Sequence, residues 1–97
     1  MKFGLEEKTY KDIKKVLLQF PYTFYIFGSR AKGNYKNTSD IDLAIFEKID
    51  NIEQFKIKDE LDKLNIIYMI DIVFVNENTK KELVNSIKKE GVKFVFQ

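Results

Sequence analysis

Residues 28–42 read G-S-R-A-K-G-N-Y-K-N-T-S-D-I-D, and this stretch organises the rest of the chain. It begins with a Gly-Ser pair and ends with a pair of aspartates, with ten residues between Ser29 and Asp40. Two of the four glycines and the single arginine of the chain, Arg30, lie within it. The stretch joins a turn that suits an anion to two carboxylates, so we expect the other residues to serve as its scaffold.

Apolar segments on both sides of this stretch predict the strands that hold it. Residues 22–27 are aromatic or β-branched throughout, which is typical of a strand buried on both faces. Residues 40–46 alternate at first and are then wholly apolar, which predicts a second strand. The polar segment 32–39 predicts a mobile loop with one short helical turn at its start, and Tyr35 is expected at its surface. Such a short connection is compatible with antiparallel pairing of the two strands.

The remaining apolar patterns predict helices alternating with strands. Spacings of three and four residues predict helices over residues 5–20, 50–65 and 79–91. Residues 66–75 form the longest β-like run, which only Asp71 interrupts. The helix side chains expected to face the core are Ile13, Val16, Leu17, Phe20, Ile52, Phe55, Leu61, Leu64, Leu83, Val84 and Ile87.

Capping signals mark the ends of two of these helices. Asp50 and Glu53 have the spacing of an N-terminal capping pair, in which a side chain accepts a bond from the first helical turn. Thr79 and Glu82 have the same spacing and predict a capping box for the last helix. Gly91 lies where a C-terminal cap belongs.

The element order predicts an α/β (α+β) fold in one domain covering residues 1–97. Residues 92–96 add either a short last strand or an apolar tail. The sheet is expected to be small and mixed, with three to four strands flanked by helices. The chain is 97 residues long, 44% apolar and 14% aromatic, which is enough for one hydrophobic core.

The composition excludes several kinds of chemistry. Because the chain has no cysteine and no histidine, it cannot build a Cys/His zinc site, a Ser-His-Asp or Cys-His nucleophile, or an imidazole catalyst. A net charge of +2 is too small to indicate nucleic-acid binding by bulk electrostatics. No apolar leader and no run of about 20 apolar residues is present, so a cytoplasmic protein without membrane contact is expected.

The aspartates are the candidate metal ligands. Asp40 and Asp42 are two residues apart on a predicted strand, so both side chains leave the same face of the sheet. Asp71 is an unusual residue in an apolar strand and would complete the set. Three such carboxylates suit two Mg²⁺ ions, or Mn²⁺, about 3.5–4 Å apart, the arrangement of metal-assisted phosphoryl transfer. The alternative is that all three are ordinary polar residues at strand edges.

The Gly-Ser pair is the candidate phosphate site. A tight turn directly after a strand exposes backbone N–H groups to an anion, and Gly28 and Ser29 are so placed. Arg30 and Lys32 add positive charge for the same phosphates. Together with the acids, these residues imply a nucleoside triphosphate whose α-phosphorus faces the metal ions. Taken alone, a Gly-Ser pair after a strand is also compatible with an ordinary turn.

The motifs G-S-R-A-K-G, S-D-I-D-L-A-I and I-D-I-V-F-V resemble those of minimal nucleotidyltransferases of the DNA polymerase β superfamily. The resemblance implies the nucleotidyltransferase palm fold. It implies that Gly28 and Ser29 bind the triphosphate of ATP, or of another nucleoside triphosphate whose NMP is transferred, and that Asp40 and Asp42 are metal ligands. Asp71 would be the third carboxylate, which also assists deprotonation of the acceptor hydroxyl.

The resemblance also implies a partner. Small members of this superfamily are typically paired with a HEPN-domain RNase toxin and act as its antitoxin by transferring AMP to one of its tyrosines. Two alternatives remain open at this point. One is a binding module that neutralises the partner by sequestration. The other is transfer to a small molecule or to RNA ends. This alternative ranks last, because the chain offers no basic groove long enough for RNA.

Overall fold

A computed structural model describes residues 2–94, which form four helices and four strands. None of the helices in this part of the chain is long and apolar enough to cross a membrane. In chain order the elements are α1 Glu7–Leu17, β1 Tyr25–Phe27, α2 Ser29–Lys32, β2 Ile41–Ile45, α3 Asn51–Asp62, β3 Ile70–Phe74, α4 Lys81–Glu90 and β4 Val92–Lys93.

The four strands form one mixed sheet in the order β3-β2-β1-β4. β1 pairs antiparallel with both β2 and β4, whereas β2 and β3 are parallel. A parallel pair needs a crossover connection, and α3 provides it between β2 and β3. The predicted small mixed sheet is therefore confirmed, and its first two strands pair antiparallel, as their short connection allows.

Helices cover both faces of the sheet. The alternating side chains of β2 show this, because Ile41, Leu43 and Ile45 pack in the larger core cluster with the buried side chains of α1 and α3. Ala44 points to the other face, where it packs with Phe27 and with Ile87 of α4. Asp42 shares the parity of Ala44, so its carboxylate lies on the α4 face of the sheet.

The inward face predicted for α3 is partly wrong. Ile52 and Phe55 are 72% and 71% exposed, whereas Ile57 is fully buried and Leu61 is 4% exposed. At 3.6 residues per turn, Ile57, Leu61 and Leu64 share one stripe, and Ile52 and Phe55 lie on the opposite side of the helix. The sequence holds two apolar stripes, and the sheet buries the one nearer the C-terminal end.

The capping predictions have mixed outcomes. Asp50 Oδ1 accepts a hydrogen bond of 2.8 Å from the Glu53 amide, as predicted. The capping box at Thr79 is wrong: α4 has Lys80 at its N-cap without a side-chain cap, and Thr79 Oγ1 instead accepts from the Asn76 amide. In that short polar loop the hydroxyl stabilises the turn before the helix.

The C-terminal cap is where the sequence placed it. Gly91 donates its amide to the Ile87 carbonyl at 2.7 Å and has an ordinary φ of −67°. A Cβ added at Gly91 would overlap that carbonyl oxygen, so space rather than backbone angle favours glycine here. The chain then forms β4 at Val92–Lys93. The rest of the predicted 92–96 segment, beyond Phe94, lies outside the described residues.

The predicted elements were too long at their ends. α1 ends at Leu17, and two tight turns follow, with Gln19 and Phe20 donating to Val16 and Leu17. The first three strands also begin later than their apolar runs, because only part of each run finds a neighbouring strand to pair with.

Candidate active site

The site is built around the turn that follows β1. Gly28 adopts φ 76° and ψ −156°, a conformation that is essentially restricted to glycine. Phe27 is the register partner of Asp42 in the antiparallel pair, which brings the turn against that side chain. A Cβ added at Gly28 would lie 2.6 Å from Asp42 Oδ2. The glycine therefore permits a close approach between the turn and the carboxylate.

The helical turn predicted after this glycine is present as α2. The Lys32 amide donates to the Gly28 carbonyl at 3.1 Å, and the Gly33 amide donates to the Ser29 carbonyl at 2.9 Å. Gly33 ends the helix in the left-handed conformation with φ 87°. The first amides of a helix have no carbonyl partner within the helix, and such amides suit an anion.

Two of the three predicted acids are direct neighbours. Asp42 on β2 and Asp71 on β3 are register partners in the parallel pair, so their side chains leave the same face of the sheet. Asp40 lies one residue before β2 and is exposed, as is Asp71, whereas Asp42 is half-buried. The sequence correctly predicted that these strands are adjacent, although Asp40 precedes the strand instead of lying on it.

The electrostatics of Asp42 record this crowding. Burial raises the pKa of its carboxyl above the usual value, and the negative charges of Asp71 and then Asp40 raise the pKa further. A carboxylate whose pKa is raised by burial and by neighbouring negative charges is relieved either by protonation or by a cation. The donor set, oxygen atoms only, is of the kind that Mg²⁺ or Mn²⁺ prefers.

The carboxylates are not gathered into a finished metal site. Among residues 2–94, no group of three His, Cys, Asp or Glu side chains is arranged to hold a metal ion. The chemistry of the donors, by contrast, fits a hard divalent cation.

Arg30 does not lie where the phosphate prediction placed it. The residue is buried, with 2% of its surface exposed. The guanidinium group donates to the backbone carbonyls of Phe3, Asn37 and Ser39 at 2.9–3.4 Å. In this structure its donors are therefore used within the protein and are not offered to a nucleotide.

Lys32 is at the site but engaged. Its Nζ lies 3.3 Å from Glu90 Oε2 at the end of α4. Glu90 also accepts a hydrogen bond of 2.8 Å from Ser86 Oγ. The hydrogen bond from Ser86 and, after it, the interaction with Lys32 lower the pKa of the Glu90 carboxyl. The pair is partly exposed, and a phosphate group would compete with Glu90 for the ammonium group.

Tyr35 was expected at the surface of the loop, and this is wrong. It is partly buried, and the Arg30 guanidinium lies 5.3 Å from its ring centroid. A Cβ added at Gly4 would overlap the same ring. The tyrosine packs here because the segment before α1 passes over the loop, a contact between residues distant in sequence. The only sequence signal for it was an aromatic residue isolated in a polar segment.

These features define the class of the site. A glycine turn at the end of one strand, opposed by carboxylates on the next two strands, is the arrangement of a nucleotidyl-transfer domain.

Comparison with known sequences agrees with this class. The family described as "Polymerase beta, Nucleotidyltransferase" matches residues 11–96, and the chain belongs to this family. It is 34% identical over 65 residues to the probable protein adenylyltransferase MntA of Haemophilus influenzae, a match covering 63% of this chain and 57% of that protein. The chain thus matches little more than half the length of this curated relative.

Comparison with solved structures gives the same fold. A crystal structure of a toxin–antitoxin with AMP-PNP superimposes with a TM-score of 0.66 at 24% identity, over 91% of this chain and 73% of that one. The structure of the tri-AMPylated Shewanella oneidensis HEPN toxin in complex with its MNT antitoxin gives a TM-score of 0.62 at 20% identity, over 96% and 74%. The helix-flanked mixed sheet is therefore a fold that the chain shares with these structures.

Proposed function

We propose that the protein is a metal-dependent nucleotidyltransferase that transfers AMP from ATP to a hydroxyl group, and that the acceptor is a tyrosine of a HEPN-domain toxin. The observation that carries the proposal is the close approach of the Gly28 turn to Asp42, with Asp71 beside it. This arrangement sets a phosphate-binding backbone against two carboxylates on the same face of the sheet. The similarity to MntA of Haemophilus influenzae supports a protein as acceptor.

The residues of the site have distinct roles in this proposal. The turn at Gly28 and Ser29 binds the triphosphate through backbone N–H groups and the serine hydroxyl. Lys32 exchanges Glu90 for a phosphate oxygen, which strengthens nucleotide binding without adding a new charge. Arg30 is not among the phosphate contacts that we propose, because its donors are occupied by backbone carbonyls.

The carboxylates would hold the divalent cations. Asp40, Asp42 and Asp71 are the proposed ligands of two Mg²⁺ ions, which supply positive charge to the triphosphate and the acceptor oxygen. Asp71 also accepts the proton of the acceptor hydroxyl. The hydroxyl oxygen bonds to the α-phosphorus, the bond to the bridging oxygen breaks, and pyrophosphate leaves. Because ATP is the donor, we place this reaction in the cytoplasm.

The proposal is tested by following the nucleotide. The protein is incubated with Mg²⁺, ATP labelled at the α-phosphate, and a purified HEPN protein encoded beside it, and the HEPN protein is then analysed for label. Asp42→Asn should abolish labelling, because the substitution removes the central ligand while keeping its shape. Asp59→Asn is the matched control, since Asp59 is an exposed aspartate of α3 that pairs with Lys63. Labelling that survives Asp42→Asn at the wild-type rate would refute the mechanism.

A second candidate function is neutralisation of the partner by binding alone. The exposed apolar side chains favour it, because large apolar groups at a surface are typical of protein interfaces. They include Ile52 and Phe55 on α3 and Ile67 and Met69 before β3. Toxicity assays with an Asp40→Asn/Asp42→Asn double variant separate the two functions. Full neutralisation by this variant would favour sequestration, and loss of neutralisation with retained binding would favour catalysis.

A further inference from the structure

We propose that Arg30 is a positioning residue, which fixes Asp40 relative to the phosphate turn by holding the backbone that leads to it. The proposal rests on the proposed function, because it assigns Asp40 to the metal site. It replaces the expectation that this arginine contacts the nucleotide.

The guanidinium group of Arg30 holds the backbone next to Asp40. Nε and one terminal nitrogen of Arg30 donate to the same oxygen, the Ser39 carbonyl, at 3.1 and 2.9 Å. That carbonyl belongs to the peptide group that joins Ser39 to Asp40. The next peptide is also anchored, because the Ile41 amide donates to the Met69 carbonyl at 2.9 Å. Asp40 is therefore exposed at its side chain but held on both sides through its backbone.

Two tyrosine rings pack against the guanidinium group of Arg30. The guanidinium carbon lies 4.7 Å from the ring centroid of Tyr68 and 5.3 Å from that of Tyr35, within the range of cation–π contacts. Tyr68 is three residues before Asp71. Arg30 itself is the residue after Ser29. One side chain thus links the three segments that deliver the phosphate turn, Asp40 and Asp71 to the site.

The N-terminal segment is held by the same group. The Phe3 carbonyl accepts from Arg30 at 3.0 Å, and Phe3 is the single non-glycine residue of positive φ, 56°, among residues 2–94. A residue in this conformation persists only where its surroundings hold it. None of the ion pairs recorded for the described residues involves Arg30, so backbone carbonyls and aromatic faces take the place of a carboxylate partner.

Lysine cannot replace arginine in this arrangement. A guanidinium group is a planar fork that reaches several carbonyls at once, whereas an ammonium group is a point charge. Lysine can contact a phosphate as a point charge, but it cannot reproduce a fork on fixed backbone carbonyls. Arg30→Lys therefore keeps the charge and removes the positioning, which separates the two roles.

The experiment compares wild type, Arg30→Lys and Lys32→Met in three measurements. Order in residues 37–40 is followed by ¹⁵N relaxation of the ligand-free protein, Mn²⁺ binding by paramagnetic resonance, and ATP binding without divalent metal by equilibrium dialysis. We expect Arg30→Lys to increase the mobility of residues 37–40 and to weaken Mn²⁺ binding about 10- to 100-fold, as loss of an orienting partner does. Metal-free ATP binding should stay at the wild-type value. Lys32→Met should instead weaken metal-free ATP binding and leave both the mobility of residues 37–40 and the Mn²⁺ affinity at their wild-type values.

Each other outcome counts against the proposal in a recognisable way. Weaker metal-free ATP binding with unchanged Mn²⁺ affinity in Arg30→Lys would assign the residue to the phosphates instead. A lower melting temperature with unchanged order and Mn²⁺ affinity would leave it a purely structural role. If Arg30→Lys does not fold, Arg30→Gln is measured in its place, and failure of both to fold would also overturn the proposal. A wild-type protein that binds no Mn²⁺, with or without ATP, would refute the proposed function itself.

Discussion

Replacing Gly28 by alanine tests the geometry of the site at its tightest point. The backbone at this position, with φ 76° and ψ −156°, lies in a region that residues with a Cβ rarely adopt. The added Cβ would also lie 2.6 Å from Asp42 Oδ2, well inside van der Waals contact. The atom it meets is the end of a short side chain, so the overlap is relieved by rotating the Asp42 carboxylate.

The two effects have different magnitudes and different readouts. The backbone strain should lower the free energy of unfolding by about 1–3 kcal/mol. For a domain of this size, each 1 kcal/mol corresponds to about 4–8 °C in melting temperature. The rotation of Asp42 should reduce the rate of AMP transfer far more than the stability, because misplacing a catalytic group by about 1 Å has an effect of about 100-fold.

Gly33 supplies the matched control. It also has a positive φ, 87°, but a Cβ added there would meet no atom within 4 Å. Gly33→Ala should therefore lower the melting temperature, through about 1 kcal/mol of backbone strain, and leave AMP transfer and Mn²⁺ affinity close to wild type. The assay is AMP transfer below the melting temperature of both variants. Equal activity of Gly28→Ala and Gly33→Ala would refute the contact between the turn and Asp42.

Three further predictions follow from particular contacts. Burial and the negative charges of Asp71 and Asp40 raise the pKa of Asp42. Protonation of Asp42 therefore stabilises the fold below pH 3.8, the ordinary pKa of the group, and this stabilisation is lost as the pH rises through the raised pKa. In urea titrations without metal, Asp42→Asn should therefore be more stable than wild type at pH 7 and should lose this advantage below pH 3.8. An equal difference in stability at the two pH values would contradict the raised pKa of Asp42. Glu90→Gln should lower the KM for ATP by up to about fivefold by releasing Lys32, since a partly exposed pair is worth at most about 1 kcal/mol, and a higher KM would show that the pair positions Lys32 for the nucleotide. In chemical denaturation, Ile57→Ala should lower the free energy of unfolding by about 2–5 kcal/mol, and Ile52→Ala should lower it by less than about 0.5 kcal/mol. Comparable losses would show that the Ile57 face of α3 is not the buried one.

The parts of the fold that the sequence predicted well are those that depend on local pattern. The strands on both sides of the Gly28 turn, the helical turn after it and the Asp50 cap each follow from adjacent residues. A role for Asp71 beside the other two acids was also predictable, because a carboxylate is unusual within an apolar strand, whereas its register with Asp42 was not.

The parts that the sequence missed depend on tertiary contacts. On α3 two apolar stripes compete, and only the sheet decides that Ile57 and not Ile52 is buried. Arg30 lies within a motif that suggests phosphate binding, yet its partners include Phe3 and Tyr68, which are far from it in the chain. A buried cation held by carbonyls has no local pattern, so residue type and spacing predict the charge but not its use.

Transfer of AMP by this chain can be followed by the position of the label in ATP. Parallel reactions with Mg²⁺ and a HEPN protein encoded beside it use ATP labelled at either the α- or the γ-phosphate, and the HEPN protein is separated and counted. If the chain transfers AMP, the α-label is transferred and the γ-label is not, and Asp42→Asn abolishes the transfer. Transfer of the γ-label, or an α-label that persists in Asp42→Asn, would refute AMP transfer at this site.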